Sequence, residues 1–353
     1  MKEVTISTPK LRKKPLAVKH KTKPKAKNFP SVLKYTLKQN VLFLAIYTFV
    51  FLVAVNILLN ESATENKRHT TSPTTQVLAA YNIQTEIRPL LINDHDLAFP
   101  IISAQGVLVI DFDSGEQLYA KNSDKLLLPA STVKIMTALI TLENMQGEKS
   151  ITVGEVDVDG QKMNLYEGQE INVDNLVKAL LVYSANDAAE VLASNYAGGR
   201  EAFVNDMNSK IKDLGLSDTI YTNPTGIDGT SQVTSAHDLI ALSKYALTNP
   251  KFAEIVNKEN VQIYNANGEL FRTLHTTNDL LGKVEGVQGV KTGWTKNARE
   301  NLVTYVDRKG RKILIAVLGS QDRFGETKEL ITWVYDNYEW VEVPVVDDEH
   351  SLQ

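Results

Sequence analysis

The sequence predicts an α+β protein, a sandwich in which an antiparallel sheet with flanking helices carries an inserted helical subdomain, preceded by one transmembrane helix. Strand-like segments occur early, at 106–120, and late, at 286–319, while the segment 131–247 between them has mainly helical patterns. Residues 41–59 are almost wholly apolar. Strands from both ends of a domain can pair in one sheet, with the intervening helices as an insertion.

The N-terminal sixty residues indicate a membrane anchor. Residues 1–40 contain twelve Lys or Arg and one acidic residue, although the whole chain carries a net charge of −4. The apolar residues 41–59 would form a helix about 28 Å long, which is enough to cross a bilayer core. The lysines before it place the N-terminus in the cytoplasm by the positive-inside rule. A cleaved signal peptide is the competing interpretation, but its charged region would be shorter, and no small-residue cleavage site follows.

The composition limits the chemistry and the partners. The chain has no cysteine, which excludes disulfides, thiolate nucleophiles and cysteine metal sites. Its six histidines are scattered without ligand spacing, so we expect no metal site, and no cofactor is indicated. A basic tail can bind nucleic acid, but the apolar segment directly after this one favours the cytoplasmic membrane as partner, and no nucleic acid.

The globular region begins near residue 100 with a hairpin. Gly106–Asp113 and Gln117–Ala120 are strand-like and flank a Ser114-Gly115 turn. A mostly apolar helix then begins at Ser131. Further helices are predicted at 173–182, 187–197, 201–214, 235–247 and 327–338, and further strands at 286–291, 301–307 and 311–319.

Ser131 and Lys134 are three residues apart at the start of the apolar helix. On a helix this spacing puts both side chains on one face, with Cβ atoms about 5–6 Å apart. A serine hydroxyl becomes a nucleophile when a base takes its proton, and a lysine desolvated by an apolar core can be that base. Two other Ser-x-x-Lys matches, at Ser31 and Ser209, lie in basic or polar surroundings and offer no buried lysine.

Ser184-Ala185-Asn186 interrupts two predicted helices and is expected to form a loop. A hydroxyl and an amide two residues apart can face one cleft. The serine can pass a proton to a leaving amine, and the asparagine can bind a substrate amide or the Ser131 and Lys134 side chains.

Lys291-Thr292-Gly293 follows an apolar strand and is expected at the edge of a sheet. The lysine supplies a cation for a carboxylate, the threonine supplies a hydroxyl donor, and the glycine leaves room for a substrate backbone. The peptide N–H of Trp294 can join that of Ser131 as an oxyanion hole.

These three motifs, in this order, are typical of β-lactamases and penicillin-binding proteins. From about Ile101 to Trp340, the chain resembles the low-molecular-mass penicillin-binding proteins, which are serine D-Ala-D-Ala carboxypeptidases. The matching blocks are Leu128-Pro-Ala-Ser-Thr-Val-Lys-Ile-Met-Thr, Tyr183-Ser-Ala-Asn-Asp-Ala-Ala, Asn223-Pro-Thr-Gly-Ile-Asp, Asn278-Asp-Leu-Leu and Gly289-Val-Lys-Thr-Gly-Trp-Thr.

The resemblance implies a β-lactamase/transpeptidase-like fold and removal of the terminal D-alanine from peptidoglycan stem peptides, with β-lactam antibiotics as inhibitors. It implies that Ser131 is the acylated nucleophile, that Lys134 is its base, and that the substrate's terminal carboxylate meets the Lys291 strand. The implied catalytic residues are Ser131, Lys134, Ser184 and Asn186, and the implied substrate-binding residues are Lys291, Thr292, Gly293 and Trp294.

Five segments are expected along the chain. They are a basic cytoplasmic tail at 1–40, a transmembrane signal anchor at 41–60, an extracytoplasmic linker at 61–95, a penicillin-binding serine peptidase domain at 96–342 and an acidic tail at 343–353. This organisation predicts a single-pass protein of the bacterial cell membrane, with its catalytic domain outside the cytoplasm.

Some alternatives remain open at the level of sequence. A D,D-endopeptidase would use the same residues to cut peptidoglycan cross-links, and a non-catalytic wall-binding protein would keep the groove but not the chemistry. A class A β-lactamase is disfavoured, because residues 215–232 contain no deacylating Glu. Arg299-Glu300 departs from the small residue usual in this family after the position of Ala298, which leaves the substrate preference of the groove undetermined.

Overall fold

The computed structural model describes residues 84–92, 98–228 and 231–344. The helices are α1 Lys134–Asn144, α2 Val173–Lys178, α3 Asn186–Ser194, α4 Gly199–Asp213, α5 Ala236–Leu247, α6 Pro250–Val256 and α7 Arg323–Asn337. The strands are β1 Thr85–Leu91, β2 Gly106–Asp111, β3 Gln117–Lys121, β4 Ser150–Thr152, β5 Glu170–Asn172, β6 Asn260–Tyr264, β7 Leu270–His275, β8 Val287–Thr295, β9 Arg299–Arg308, β10 Arg311–Ser320 and β11 Tyr338–Pro344.

A five-stranded antiparallel sheet is built from both ends of the folded region, as the sequence predicts. Its strand order is β3-β2-β10-β9-β8, so the early hairpin lies beside the late strands through the β2–β10 pair. Most of the helices lie in the chain between β3 and β8. Strand β8 is an edge strand, which leaves one side of it open to a ligand.

Both faces of this sheet are buried, because side chains alternate along its central strands. On β10, Leu314, Ala316 and Leu318 face a core shared with helices α1 to α6. The alternate residues Ile313, Ile315 and Val317 face a second core, to which α7 contributes Leu330, Ile331 and Val334. The sheet is therefore a rigid layer between the helical subdomain and α7, and the edge of β8 is held in place by both cores.

Helix α1 is the central helix of the larger core. A four-residue 3₁₀ turn, Ala130–Val133, precedes it, so the helix proper begins at Lys134 and not at Ser131 as predicted. Residues 134–141 are all buried, including the lysine. Every face of this part of the helix is therefore covered by protein. Lys134 is desolvated for that reason.

Two helices differ from the sequence prediction, the first at its C-terminal end and the second at its N-terminal end. The predicted helix 173–182 is α2 followed by a π-helical turn, Ala179–Tyr183, which ends at Ser184 in the left-handed region with φ 65°. Helix α7 begins four residues earlier than its predicted start at Thr327, because Asp322 caps it by accepting a hydrogen bond from the N–H of Gly325.

A separate two-stranded ribbon lies at the N-terminal and C-terminal ends of the described region. Strand β1 pairs antiparallel with β11, with Pro89 opposite Trp340. Residues 85–91 fall in the segment 61–95 that was expected to be linker, so the folded part begins before residue 96. Pro89 argues against a strand in the sequence, but an edge strand tolerates proline because its missing N–H has no partner to lose.

No helix among the described residues is long and apolar enough to span a membrane. The predicted basic tail at 1–40 and signal anchor at 41–60 lie outside the described residues, as do the linker up to residue 83 and the end of the acidic tail from residue 345.

Candidate active site

A cavity of about 540 Å³ lies where the edge of β8 meets the 3₁₀ turn before α1. The loop before α3 closes it from a third side, and loops at 159–161 and 226–228 complete its wall. Six predicted site residues line it: Ser131, Ser184, Asn186, Thr292, Gly293 and Trp294. The other two, Lys134 and Lys291, lie behind this lining with exposed fractions of 0% and 1%. All eight predicted residues are therefore brought together.

Lys134 lies within hydrogen-bond distance of the serine hydroxyl. Its Nζ is 2.9 Å from Ser131 Oγ and also donates to the carbonyl oxygen of Thr225. Burial lowers the pKa of Lys134 well below its usual value, and the charge of Lys291 lowers it further, whereas Glu190 acts in the opposite direction. A lysine whose pKa is lowered in this way loses its proton more readily, and in its neutral form it can accept the serine proton.

The loop 223–226 contacts Lys134 through the carbonyl oxygen of Thr225. Asn223 Oδ1 accepts hydrogen bonds from the N–H groups of Thr225 and Gly226, at 3.1 and 2.7 Å. The loop is tied to α1 by Thr137, whose hydroxyl donates to the carbonyl oxygen of Pro224 at 2.7 Å. The block around Asn223 thus supports the base and does not itself carry the reaction.

Ser184 and Lys291 form a second serine–lysine pair across the cavity. Lys291 Nζ donates to Ser184 Oγ and to the carbonyl oxygen of Thr292, each at 2.9 Å. Desolvation by burial, aided by the charge of Arg323, lowers the pKa of Lys291 to about 7. The left-handed backbone of Ser184 is costly for a residue with a Cβ, and it directs this hydroxyl toward β8.

Asn186 joins the cavity to its loop wall. Its Nδ2 donates to the carbonyl oxygen of Asp159 at 2.6 Å, and its N–H donates to that of Gln161 at 2.7 Å. Its Oδ1 is buried and has no partner within the described part of the chain. Because a buried unpaired oxygen is costly, this atom is suited to accept an N–H from a ligand in the cavity.

The three residues of β8 contribute in different ways. The Thr292 hydroxyl is 2.6 Å from that of Thr277. At Gly293, a Cβ would approach the Ser131 nitrogen to 3.1 Å, so glycine lets the strand lie against the nucleophile turn. Trp294 is 63% exposed at the cavity wall, which places it at the groove and not in the core.

Sequence reasoning missed Arg323, the first residue of α7, which also lines the cavity. Its Nη1 donates to the carbonyl oxygen of Gly293 at 2.9 Å, and its backbone N–H donates to Glu300 Oε2 at 2.9 Å. The signal in the sequence was weak, because the predicted start of the helix left Arg323 in a loop. In contrast, the Arg299-Glu300 pair, at which the sequence departs from the family pattern, indicated the strand that contacts Arg323.

Comparison with known proteins bears on this geometry. A family model described as D-alanyl-D-alanine carboxypeptidase matches residues 94–322. The chain belongs to this family. It is a serine-type carboxypeptidase with the α+β fold of penicillin-binding proteins and transpeptidases, which confirms the predicted family and fold.

Relatives of this carboxypeptidase agree with that assignment. D-alanyl-D-alanine carboxypeptidase DacB2 of Mycobacterium tuberculosis is 33% identical over 219 residues, which are 61% of this chain and 74% of the relative. DacF of Bacillus subtilis is 30% identical over 246 residues, which are 67% of this chain and 63% of the relative, so the chain spans slightly less than two thirds of DacF.

A solved structure carries a similar fold. Penicillin-binding protein D2 of Listeria monocytogenes, in its ampicillin-bound form, superimposes with a TM-score of 0.61 and 30% sequence identity. The similarity covers 67% of this chain and 99% of the Listeria chain.

Proposed function

We propose that this carboxypeptidase releases the terminal D-alanine of peptidoglycan stem peptides through an acyl-enzyme on Ser131. The observation that carries the proposal is the 2.9 Å separation between Ser131 Oγ and a fully buried Lys134. A neutral amine at this distance can take the hydroxyl proton as the oxygen attacks.

Acylation begins when Ser131 Oγ bonds to the carbonyl carbon of the penultimate D-alanine and its proton passes to Lys134 Nζ. The carbonyl oxygen then carries negative charge, and the N–H groups of Ser131 and Trp294 are the proposed donors for it. The close approach of Gly293 to the Ser131 nitrogen supports this pairing of strand and turn.

Release of D-alanine breaks the bond between that carbonyl carbon and the amide nitrogen. The leaving amine needs a proton, and Ser184 is the proposed donor, because its hydroxyl is replenished by Lys291 at 2.9 Å. The proton that Lys134 took from Ser131 replaces the one that Lys291 gave up, so both amines return to their starting state. Water then attacks the ester carbonyl and gives a proton to Lys134. As the bond from that carbon to Ser131 Oγ breaks, Lys134 returns the proton to Oγ and the shortened peptide leaves.

The substrate is proposed to lie along the open edge of β8. Arg323 and Thr292, with the positive charge of Lys291, suit the terminal carboxylate, since charge-assisted hydrogen bonds to carboxylates are strong. The unpaired Oδ1 of Asn186 suits a substrate amide N–H on the opposite wall. β-Lactam antibiotics are proposed inhibitors, in keeping with the ampicillin-bound Listeria relative.

The proposed test uses the full chain and a muramyl-type pentapeptide, with D-alanine release as the readout. Ser131→Ala is expected to abolish release, while Ser209→Ala, which alters another Ser-x-x-Lys match, is expected to leave it unchanged. A cross-linked dimer peptide is tested in parallel. Cleavage of the dimer without D-alanine release would identify an endopeptidase, and cleavage of neither peptide would indicate a wall-binding role.

We infer also that residues 41–60 anchor the protein in the cytoplasmic membrane, with residues 1–40 inside. The support is the apolar length together with the preceding lysines. The intact N-terminus is then expected by mass spectrometry in a membrane fraction that resists alkaline extraction. A shortened protein that is free of membrane would contradict this anchor.

A further inference from the structure

Glu300 lies at the start of β9, at the point where the open strand, the sheet and α7 meet. It is half-buried and stands opposite Trp294 of β8 and Ser320 of β10. Its Oε2 accepts the backbone N–H of Arg323 at 2.9 Å. That N–H is one of the donors that a helix start leaves without an intrahelical partner, so Glu300 fixes the first residue of α7 to the sheet.

The Arg323 side chain runs from this fixed point into the active-site cavity. Its Nη1 binds the carbonyl oxygen of Gly293 at 2.9 Å, and its guanidinium carbon lies 4.7 Å from the centre of the Phe324 ring. Its Nε is buried without a partner among the described residues. The guanidinium is thus held at the edge of β8 by its backbone at one end and by Gly293 at the other.

The charge of Glu300 also acts on this guanidinium. Burial lowers the pKa of Arg323, and Glu300 counteracts that effect. Two buried amines lie close by: the charge of Arg323 lowers the pKa of Lys291, and the charge of Lys291 lowers the pKa of Lys134. A carboxylate at the base of Arg323 therefore offsets part of the positive charge that Arg323 presents to the two buried amines.

We propose that Glu300 is a positioning residue that holds Arg323 at the edge of β8 and so sets the affinity of the cavity for a terminal carboxylate. The inference rests on the proposed function, in which Arg323 binds the carboxylate of the substrate. It gives a role to the second residue of the Arg299-Glu300 pair, at which this chain departs from the family pattern, since the Glu300 side chain faces the helix that carries Arg323.

The start of α7 has other anchors that do not depend on Glu300. Asp322 caps the helix through the N–H of Gly325 at 2.9 Å, and Glu326 is buried and accepts a hydrogen bond from Ser320. The helix is therefore expected to remain folded without Glu300. Removal of Glu300 is then expected to change only the placement of Arg323 and the charges around it. An effect on positioning can therefore be distinguished from an effect on the stability of the fold.

The test compares two peptide substrates that differ in one group. One ends in D-Ala-D-Ala with a free carboxylate, and the other ends in D-Ala-D-alaninamide. Glu300→Ala is expected to raise KM for the carboxylate about tenfold, the size typical for a lost hydrogen bond and charge contact, with kcat nearly unchanged. The carboxamide should be turned over almost as by the wild type, since it makes no ion pair with Arg323.

Matched variants separate the parts of the effect. Glu300→Gln keeps an acceptor oxygen for the Arg323 N–H and is expected to restore most of the affinity for the carboxylate. Glu300→Asp keeps the charge at a shorter reach and serves if the alanine variant does not fold. Glu329→Ala removes an exposed carboxylate from the same helix and is expected to have no effect.

A double-mutant cycle with Arg323→Ala decides whether Glu300 acts through the arginine. In that background, Glu300→Ala should raise KM no further. Equal increases for both substrates, or an unchanged KM in every Glu300 variant, would overturn the inference. The proposed function has its own control, because it fails if the wild type releases no D-alanine or if Ser131→Ala still releases it.

Discussion

Lys134 Nζ lies 2.9 Å from Ser131 Oγ, and the amine that makes this contact is completely buried. Across the cavity, Lys291 Nζ lies at the same distance from Ser184 Oγ. The two amines are coupled, since the charge of Lys291 lowers the pKa of Lys134. A positive charge that serves the carboxylate end of the groove therefore also favours the neutral form of the base.

Replacement of the base is expected to stop acylation. Lys134→Ala removes the amine that contacts Ser131 Oγ at 2.9 Å, so labelling by a fluorescent penicillin should slow by about 10²–10⁴-fold, the range typical of general-base catalysis. The matched control is Lys212→Ala, which removes the lysine of another Ser-x-x-Lys match on α4. Labelling of Lys134→Ala at the wild-type rate would refute the assignment of the base.

Gly226 is expected to be intolerant of a side chain, because a Cβ there would lie 1.9 Å from the carbonyl oxygen of Ala130. Gly226→Ala should displace the nucleophile turn, lower the melting temperature and abolish penicillin labelling. Gly268→Ala is the control, since Gly268 has a similar positive φ but open space around it. Equal losses in both variants would mean that backbone strain, and not the contact with the turn, is responsible.

The sequence was sufficient to predict the sheet and the motifs at the site, for reasons of local physics. Continuous apolar runs mark β2 and β10, because successive residues face the two cores on opposite sides of the sheet. The three-residue spacing of Ser131 and Lys134 fixes their separation within a turn, even though that turn is 3₁₀ and not α-helical. Such features depend only on near neighbours in the chain.

Features that depend on distant contacts could not be predicted in this way. Arg323 reaches the cavity because Glu300, 23 residues away, and Gly293, 30 residues away, fix its two ends. Among the described strands, β1 pairs only with β11, which lies at the other end of the folded region in the sequence. Neither relationship leaves a periodic signal in its own segment, and the proline within β1 is a residue type that strands disfavour.

Removal of β1 is expected to destabilise the domain without stopping the chemistry. A chain that begins at residue 98 loses the partner of β11 and the hydrogen bond from the N–H of Ile92 to the carbonyl oxygen of Asn337. Compared with a chain that begins at residue 82, its melting temperature should fall by several degrees, at about 2–4 °C per kcal/mol for this size. Equal melting temperatures would show that the ribbon does not contribute to stability.

Lys291 is expected to make the stability of the protein depend on pH. Its pKa is about 7 in the folded state and 10.5 when unperturbed. Between pH 7 and 10.5, the unfolded chain therefore binds a proton on this lysine that the folded chain does not. The burial of Lys291 therefore lowers the free energy of unfolding. This loss is complete below pH 7 and disappears as the pH rises toward 10.5, with a slope on the order of 1 kcal/mol per pH unit. Lys291→Met removes this titration, so the wild type should gain stability relative to the variant between pH 7 and 10. Melting temperatures of both proteins, with Lys296→Met as an exposed control, measure the effect, and a difference that is constant with pH would contradict it.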